Sequence, residues 1–275
     1  MVQITEVQLN NRKISNSDPA IIIAGINVIE SEELCISVAG ELKKICERNN
    51  IDFIFKASFD KANRSSIDSF RGPGADQGLE ILKKVKNELN VPIISDIHEP
   101  SQAETAAEVL DVIQIPAFLS RQTDLIKAAC ETKKVINVKK AQFLSPPQMM
   151  NIIEKCNHFG NENILLCERG SIFGYDNLIV DFLGIDEIKK IAPTILDITH
   201  SLQLPGGKGK FADGRSSQAK VLGTAAAAIG LAGFFIEVHP SPENALCDGA
   251  SATRLSEFES LLLELKKFDE LSKSL

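Results

Sequence analysis

Residues 53–66 read FIFKASFDKANRSS, an apolar run that ends at Lys56 and passes into a loop rich in cations, amide and hydroxyl groups. The apolar run is typical of a buried β-strand. Lysine, arginine and hydroxyl donors suit carboxylate and phosphate groups, and in a parallel barrel such donors meet a substrate at the carboxyl ends of the strands. The stretch therefore predicts an anion-binding loop after a buried strand, with a solvated basic loop as the alternative.

The same succession of an apolar run and a polar loop recurs along the chain. Apolar runs predict strands at residues 21–26, 53–55, 93–94, 112–115, 135–138, 164–167, 195–198 and 234–238. Helical periodicity predicts helices at 31–48, 76–89, 101–109, 122–132, 146–156, 177–191, 216–230 and 255–272. This alternation predicts an α/β fold of the (β/α)8 TIM barrel type, although a doubly wound open sheet would alternate in the same way.

The predicted barrel accounts for the whole chain. No linker rich in glycine, serine or proline divides the sequence, so we expect a single barrel domain over residues 1–275. Residues 1–15 alternate weakly in hydropathy around the turn signal Asn10-Asn11. They predict a short N-terminal β-hairpin that extends the barrel.

Composition argues against several classes of partner. The net charge is −7, and the chain has one Tyr and no Trp, which disfavours binding to nucleic acid. The longest apolar run, residues 225–236, is shorter than the ~20 residues that span a membrane. Six scattered cysteines without a CxxC pair, and a start without export-signal features, predict free thiols in the cytoplasm. We expect neither a nucleic acid nor a membrane as a partner.

Polar side chains that can bind ligands follow every predicted strand. They are, in chain order, Asn27; Lys56, Lys61, Asn63 and Arg64; Asp96, His98 and Glu99; Gln114; Lys139 and Lys140; Glu168 and Arg169; His200; and Glu237 and His239. A random polar surface would not favour one end of each strand, whereas barrel active sites draw on these ends. An acidic protein with cations at these positions is best explained by small anionic ligands. For Lys140 alone, a solvated charge is the more usual role.

Six motifs resemble the 3-deoxy-D-manno-octulosonate 8-phosphate synthase family. They are FKASFDKANRSS at 55–66, SFRGPG at 69–74, SDIHEP at 95–100, QIPAFLSRQTD at 114–124, NVKK at 137–140 and CERG at 167–170. The motifs occur in the family's order over nearly the whole chain. The resemblance implies a transferase that condenses phosphoenolpyruvate with arabinose 5-phosphate and water, releasing inorganic phosphate, for lipopolysaccharide biosynthesis. It also implies a homotetramer.

The resemblance also implies which side chains hold the two substrates. The contacts are Lys56, Ser58 and Lys61 for the enolpyruvate carboxylate, Lys139 and Arg169 for its phosphate, and Asn63, Arg64 and Ser65 for the sugar phosphate and its neighbouring hydroxyl. Further substrate contacts are implied for Asp96, Gln114, Ala117, Phe118, Arg121 and Glu237. In the family, the segment with Phe118 and Arg121 crosses a subunit interface into a neighbouring site. Opposed cations of this kind would align the enol carbon on the aldehyde.

One group of side chains bears on whether the protein needs a metal ion. His200, Glu237 and Asp248 could form a divalent-metal set that lacks one ligand. Metal-dependent members of the family supply a cysteine at the end of the first strand, where this chain has Asn27. The resemblance therefore implies the metal-independent class, with no cofactor. It implies a catalytic group of His200, Asp248, Lys61 and Asn27, without assigning the acid and the base.

Some features depart from the family pattern, and other functions stay open. Ala141 stands where proline is common, and the glycine-rich loop 206–216, with Arg215, predicts a mobile lid. The related heptulosonate 7-phosphate synthase would use erythrose 4-phosphate instead. A Schiff-base aldolase would use Lys56 or Lys139. A barrel that only binds sugar phosphates is the non-enzymatic alternative.

Overall fold

The computed structural model describes residues 4–208 and 211–275, in which strands alternate with helices. The strands are β1 (Glu6–Leu9), β2 (Arg12–Ser15), β3 (Ile21–Val28), β4 (Phe53–Ser58), β5 (Ile93–Asp96), β6 (Val112–Ile115), β7 (Val135–Lys139), β8 (Ile164–Glu168), β9 (Ser171–Ile172), β10 (Leu178–Ile179), β11 (Thr194–Asp197), β12 (Gln203–Lys208), β13 (Phe211–Gly214), β14 (Gly233–His239) and β15 (Thr253–Arg254). The α-helices are α1 (Glu32–Arg48), α2 (Ala75–Leu89), α3 (Ala103–Val109), α4 (Thr123–Glu131), α5 (Met149–His158), α6 (Phe182–Lys189), α7 (Ile198–Ser201), α8 (Ala219–Ala227) and α9 (Leu255–Lys273).

The central sheet closes into a parallel barrel. Its strand order is β3, β4, β5, β6, β7, β8, β11 and β14, and β14 pairs in parallel with both β11 and β3. Every residue of β3 is buried, as expected for a strand covered by helices on one face and by the barrel interior on the other. The closing pairs confirm the predicted (β/α)8 barrel and exclude the open sheet.

The predicted N-terminal hairpin is confirmed by β1 and β2, which pair antiparallel; residues 1–3 lie outside the described part of the chain. Val7 and Ile14 face each other across the hairpin and are buried. The Asn16 side chain then donates to the Ala192 carbonyl at 3.3 Å and accepts from the Thr194 amide at 2.9 Å. Because Thr194 begins β11, the hairpin lies at the amino ends of the barrel strands and leaves their carboxyl ends free.

The predicted start of the helix at 177–191 was wrong. The chain instead forms the short antiparallel pair β9 and β10, and α6 begins only at Phe182. Gly174 and Asp176 adopt positive φ angles of 75° and 52°, which turn the chain between these strands. The Asp181 side chain accepts from the Leu183 amide and thereby caps the helix.

The seventh barrel strand ends one residue earlier than predicted. β11 stops at Asp197, and α7 begins at Ile198, because the Asp197 side chain accepts from the His200 amide as an N-cap. The loop predicted as a lid contains the antiparallel strands β12 and β13, and its residues 209 and 210 lie outside the described residues. Arg215, after β13, donates to the Leu178 carbonyl at 2.9 Å. No helix in the described ranges is long and apolar enough to cross a membrane.

Candidate active site

A cavity of about 1510 Å³ opens at the carboxyl ends of the barrel strands. Thirteen of the residues that the sequence implied for the site line it: Lys56, Lys61, Asn63, Arg64, Ser65, Asp96, Gln114, Ala117, Phe118, Lys139, Arg169, His200 and Asp248. Ser58, Glu237 and Asn27 lie behind this lining and hydrogen-bond to it. Arg121 is exposed and does not line the cavity.

Lys56 is held beneath the cavity by two oxygen acceptors. Its ammonium donates to Glu237 Oε1 at 2.5 Å and to the Asn27 carbonyl at 2.9 Å. Both side chains of the ion pair are about 1% exposed, and burial lowers the pKa of Lys56 to about 8. The close pairing with β3 depends on Gly25, since a Cβ there would lie 1.8 Å from the Lys56 carbonyl oxygen. Lys56 is therefore positioned by the barrel itself.

Asp197 orients two residues that line the cavity, although the sequence analysis did not select it. Its Oδ2 accepts from the Lys139 ammonium and lies 2.8 Å from His200 Nδ1. Burial alone would raise the pKa of Asp197, but the facing His200 and Lys139 lower it well below its ordinary range. The Lys139 ammonium also lies 3.6 Å from the Phe235 ring centroid, a cation–π contact. Asp197 thus remains an anion between the two.

Asp96 forms a second polar group at the end of β5. One carboxylate oxygen accepts from the Ser58 hydroxyl and the other lies 3.0 Å from His98 Nε2. Burial alone would raise the pKa of Asp96, but the His98 hydrogen bond and Lys61 lower it overall. His98 also packs edge-on against Phe59 and lines the cavity. The position of His98 after a predicted strand does not by itself indicate a role for its side chain.

The group around Asp248 includes Cys247, one of the cysteines for which the sequence predicted only a free thiol. The Asn27 amide donates to Asp248 Oδ2 at 2.8 Å and to Cys247 Sγ at 3.2 Å. Arg64 Nη1 also contacts Cys247 Sγ. Burial raises the pKa of Cys247 to about 12, so this side chain remains a neutral thiol. His200 Nε2 lies 4.0 Å from Asp248 Oδ2, close enough for the two to serve one reacting group.

Asn27, together with His200, Glu237 and Asp248, does not fit a divalent ion well. The hydrogen-bond network assigns the Asn27 amide so that an N–H donor faces the Asp248 carboxylate. This N–H group occupies the Asp248 oxygen that would otherwise bind a cation. A neutral amide is also a poor substitute for a thiolate ligand. Within residues 4–208 and 211–275, no cluster of three His, Cys, Asp or Glu side chains is placed to hold a metal.

The guanidinium of Arg169 is only partly hydrogen-bonded by the described residues. Nη2 donates to Gln203 Oε1 at 2.8 Å, whereas the buried Nη1 has no hydrogen-bond partner among the described residues. A buried guanidinium N–H without an acceptor is costly. Because Arg169 lines the cavity with Lys139, the unpaired donor suits an anionic group of a ligand.

The cationic loop at 59–74 is anchored at both ends. The Gly74 amide donates to the Phe59 carbonyl at 3.0 Å, and the Lys61 amide donates to the Arg71 carbonyl at 2.7 Å. Asn63, Arg64 and Ser65 lie in between, and all three line the cavity. Burial alone would lower the pKa of Lys61, but Asp96 and other nearby anions raise it overall. The loop therefore presents fixed positive charge, as its sequence predicts.

Acid should destabilise this protein. Burial holds the pKa of His200 below its ordinary value of 6.5, so the unfolded chain binds that proton first and stability falls as the pH drops below about 6.5. The lowered pKa values of Asp96 and Asp197 add stability that is present above about pH 3.8 and lost as the pH falls through and below it. We expect the Tm to decline from about pH 7 to about pH 3. His200→Gln should flatten the upper part of this profile; an unchanged slope in the variant would contradict the assignment.

Comparisons with known proteins relate nearly the whole chain to one family and to relatives of one name. The family model described as the DAHP synthetase I family matches residues 2–274. A relative from Pseudoalteromonas translucida (strain TAC 125), named 2-dehydro-3-deoxyphosphooctonate aldolase, is 52% identical over 268 residues, which are 98% of this chain and 94% of the relative. Relatives of the same name come from Psychromonas ingrahamii, 54% identical over 98% of this chain and 96% of the relative, and from Acinetobacter baylyi, 52% identical over 97% and 94%.

Proposed function

The chain belongs to the DAHP synthetase I family, and from this premise we propose that it condenses phosphoenolpyruvate, arabinose 5-phosphate and water to 3-deoxy-D-manno-octulosonate 8-phosphate and inorganic phosphate. The observation that carries the proposal is the identity of 52% and 54%, over nearly the full length, to relatives named for this eight-carbon product. It is thus an enzyme that supplies an acid sugar for lipopolysaccharide.

Phosphoenolpyruvate would bind at the base of the cavity. Lys56 and Lys61 would hold its carboxylate, and Lys139 and Arg169 would hold its phosphate. The unpaired Nη1 of Arg169 supports this assignment, because a phosphate oxygen is the acceptor that a guanidinium fork prefers. Ser58, which the sequence also implied for the carboxylate, is buried behind the lining with its hydroxyl on Asp96, so it would act through Asp96. Gln114, Ala117 and Glu237 would complete this half of the site, Glu237 through its ion pair with Lys56.

Arabinose 5-phosphate would bind nearer the mouth of the cavity. Asn63, Arg64 and Ser65 on the anchored loop would meet its phosphate, and Asp96 would accept from a sugar hydroxyl. The lowered pKa of Asp96 keeps this side chain a hydrogen-bond acceptor at neutral pH. With both phosphates held on separate cations, the aldehyde would lie over the enol carbon, and this alignment lowers the entropic barrier to reaction.

The proposed reaction proceeds in steps. The enol carbon attacks the aldehyde carbon, a carbon–carbon bond forms, and the aldehyde oxygen takes up a proton. Water adds to the carbon that bears the phosphate and gives up a proton. The hydroxyl left on that carbon then gives its proton to the departing phosphate as the carbon–oxygen bond to phosphate breaks, which leaves a ketone and inorganic phosphate. His200 and Asp248 would carry the proton transfers, which their 4.0 Å separation supports, and Asp197 would keep the His200 ring oriented.

Two assays distinguish the alternatives. We would measure phosphate release from phosphoenolpyruvate with a panel of aldose phosphates. Turnover with arabinose 5-phosphate and little with erythrose 4-phosphate supports the proposal, and the reverse preference would favour the heptulosonate synthase. Covalent trapping of either substrate by borohydride would favour the Schiff-base aldolase, for which the lowered pKa of Lys56 is the specific support.

Activity should not require a metal ion. Asn27 supplies a hydrogen-bond donor where a cation would need a ligand, so we expect chelator treatment to leave kcat within about twofold of the untreated value. The measurement is phosphate release after exhaustive dialysis against a chelator, with metal content checked by elemental analysis. Loss of activity that returns on addition of a divalent ion would overturn the metal-independent assignment.

We also propose a cytoplasmic homotetramer. A group of large apolar side chains is exposed around the mouth of the barrel and the β9–β10 ribbon: Phe118, Phe143, Ile172, Phe173 and Tyr175. Clusters of exposed apolar residues are typical of protein interfaces. Burial of this surface against another copy would let Phe118, and Arg121 near it, reach a neighbouring site. Sedimentation analysis at micromolar concentration would measure the assembly, and a monomer would contradict this part of the proposal.

A further inference from the structure

Lys140 is not the solvated charge that its sequence position suggested. Its side chain is about 1% exposed. Lys139, its neighbour, lies over the Phe235 ring with its ammonium paired to Asp197. Successive side chains of a strand point in opposite directions, so Lys140 projects away from Lys139 and toward the loops that follow β7 and β8. A buried ammonium needs oxygen partners to offset its desolvation.

The Lys140 ammonium is surrounded by oxygens from two loops. On the side of the loop after β7 it donates to the carbonyls of Ala141 and Leu144, each at 3.3 Å. On the side of the loop after β8 it donates to the Gly170 carbonyl at 3.4 Å and to the Ser171 hydroxyl at 3.1 Å. One cation therefore joins both loops.

Glu168 supplies the balancing charge. Its Oε1 lies 3.5 Å from the Lys140 ammonium and accepts from the Gly170 amide at 2.6 Å. Burial raises the pKa of Glu168 and lowers that of Lys140, and the opposite charge of each partner counteracts these shifts. Gly170 has a positive φ of 89°, a conformation that favours glycine and bends the chain so that both its amide and its carbonyl face the ion pair.

The ion pair lies one residue away from each cation that is assigned to the enolpyruvate phosphate. Lys139 precedes Lys140 and Arg169 follows Glu168. The parent strands are hydrogen-bonded neighbours, with Lys139 opposite Cys167. A relative shift of the two loops would therefore change the spacing between Lys139 and Arg169. Both cations must reach the same phosphate, and misplacement by about 1 Å can cost a large factor in rate.

We propose that Lys140 and Glu168 are positioning residues that fix the spacing of Lys139 and Arg169, and thereby set the affinity of the site for the phosphate of phosphoenolpyruvate. The inference rests on the proposed function, because that function assigns the phosphate to these two cations. Neither Lys140 nor Glu168 lines the cavity. Their effect on the substrate passes through the backbone of the two loops.

The test compares Lys140→Met with a matched control at the opposite end of the barrel. Lys273 is also a buried lysine: its ammonium lies 2.6 Å from Asp269 Oδ1 and donates to the Leu231 carbonyl at 2.8 Å. Lys140→Met should raise the KM for phosphoenolpyruvate about tenfold or more and leave the KM for arabinose 5-phosphate within about twofold. Lys273→Met should lower the Tm about as much as Lys140→Met does, but it should not change either KM.

A second variant and a second measurement distinguish failure of this inference from failure of the proposed function. Glu168→Gln keeps an acceptor for the Gly170 amide and removes only the charge, so it should show the same change in KM to a smaller degree, even if Lys140→Met does not fold. Calorimetric titration with inorganic phosphate should show weakened binding in both variants. An inactive wild-type enzyme would refute the proposed function, while the phosphate titration would still test the ion pair. Equal changes in the two KM values, or phosphate affinity unchanged in Glu168→Gln, would overturn the inference.

Discussion

Replacement of Lys139 by methionine should lower kcat/KM for phosphoenolpyruvate by about a thousandfold. The change removes one of the two cations that we propose to bind the phosphate of phosphoenolpyruvate. It also leaves the carboxylate of Asp197, which is fully buried, without the ammonium that now balances it. An anion that is left uncompensated beside the phosphate would oppose substrate binding as well as folding. Phosphate release at saturating arabinose 5-phosphate measures the effect on activity.

The structural part of this effect can be separated from the catalytic part. Loss of one partner of a buried ion pair commonly costs about 3 kcal/mol of unfolding free energy, so Lys139→Met should also lower the Tm. In Lys139→Met/Asp197→Asn the orphaned charge is gone, and the amide oxygen can still accept from the His200 backbone amide. We expect the double variant to regain stability and to remain nearly inactive. Recovery of both properties together would mean that Lys139 acts only in folding.

Lys61→Ala is expected to cost activity far more than stability. Lys61 lies in the anchored loop and lines the cavity, where it would bind the enolpyruvate carboxylate between the two substrates. We expect kcat/KM to fall by about a thousandfold, as for the loss of a preorganised cation at a reacting group. The backbone amide of Lys61 keeps its bond to the Arg71 carbonyl, so the loop should remain in place and the Tm should change little.

An exposed lysine serves as the control for this variant. The Lys83 side chain on α2 is 56% exposed and lies 3.9 Å from Glu80, a geometry that contributes little to stability. Lys83→Ala should therefore leave both kcat/KM and Tm nearly unchanged. If Lys61→Ala and Lys83→Ala were equally active, the loop at 59–74 would be only a basic surface segment. A large loss of Tm in Lys61→Ala would instead give Lys61 a structural role.

The barrel could be predicted because its strands are covered on both faces. A strand of this kind carries an unbroken apolar run, as β3 does, and helical periodicity marks the segments between. The same reasoning failed for β9 and β10, which are two residues long each and give no periodicity to detect. It also failed for β12 and β13, because their glycine and charged residues are typical of a loop.

The candidate site residues at strand ends could be predicted from the sequence, whereas those inside or behind the strands could not. Phe235 is an apolar residue in an apolar run, and only the barrel geometry brings its ring beneath Lys139. Cys247 had the properties of a small core residue until its contact with Asn27 became visible. The burial of Lys140 depends on the side to which the chain directs it just after β7, and a shift of one residue in the strand would reverse that side. Asp197 could have been noticed as a carboxylate that ends an apolar run.

We propose that one site joins phosphoenolpyruvate to arabinose 5-phosphate. The most direct measurement is a time course by phosphorus and carbon nuclear magnetic resonance with both substrates and the purified wild-type protein. We expect both substrates to disappear at the same rate, and inorganic phosphate and 3-deoxy-D-manno-octulosonate 8-phosphate to appear in equal amounts. Phosphate release without the eight-carbon product, or no consumption of arabinose 5-phosphate, would contradict this proposal.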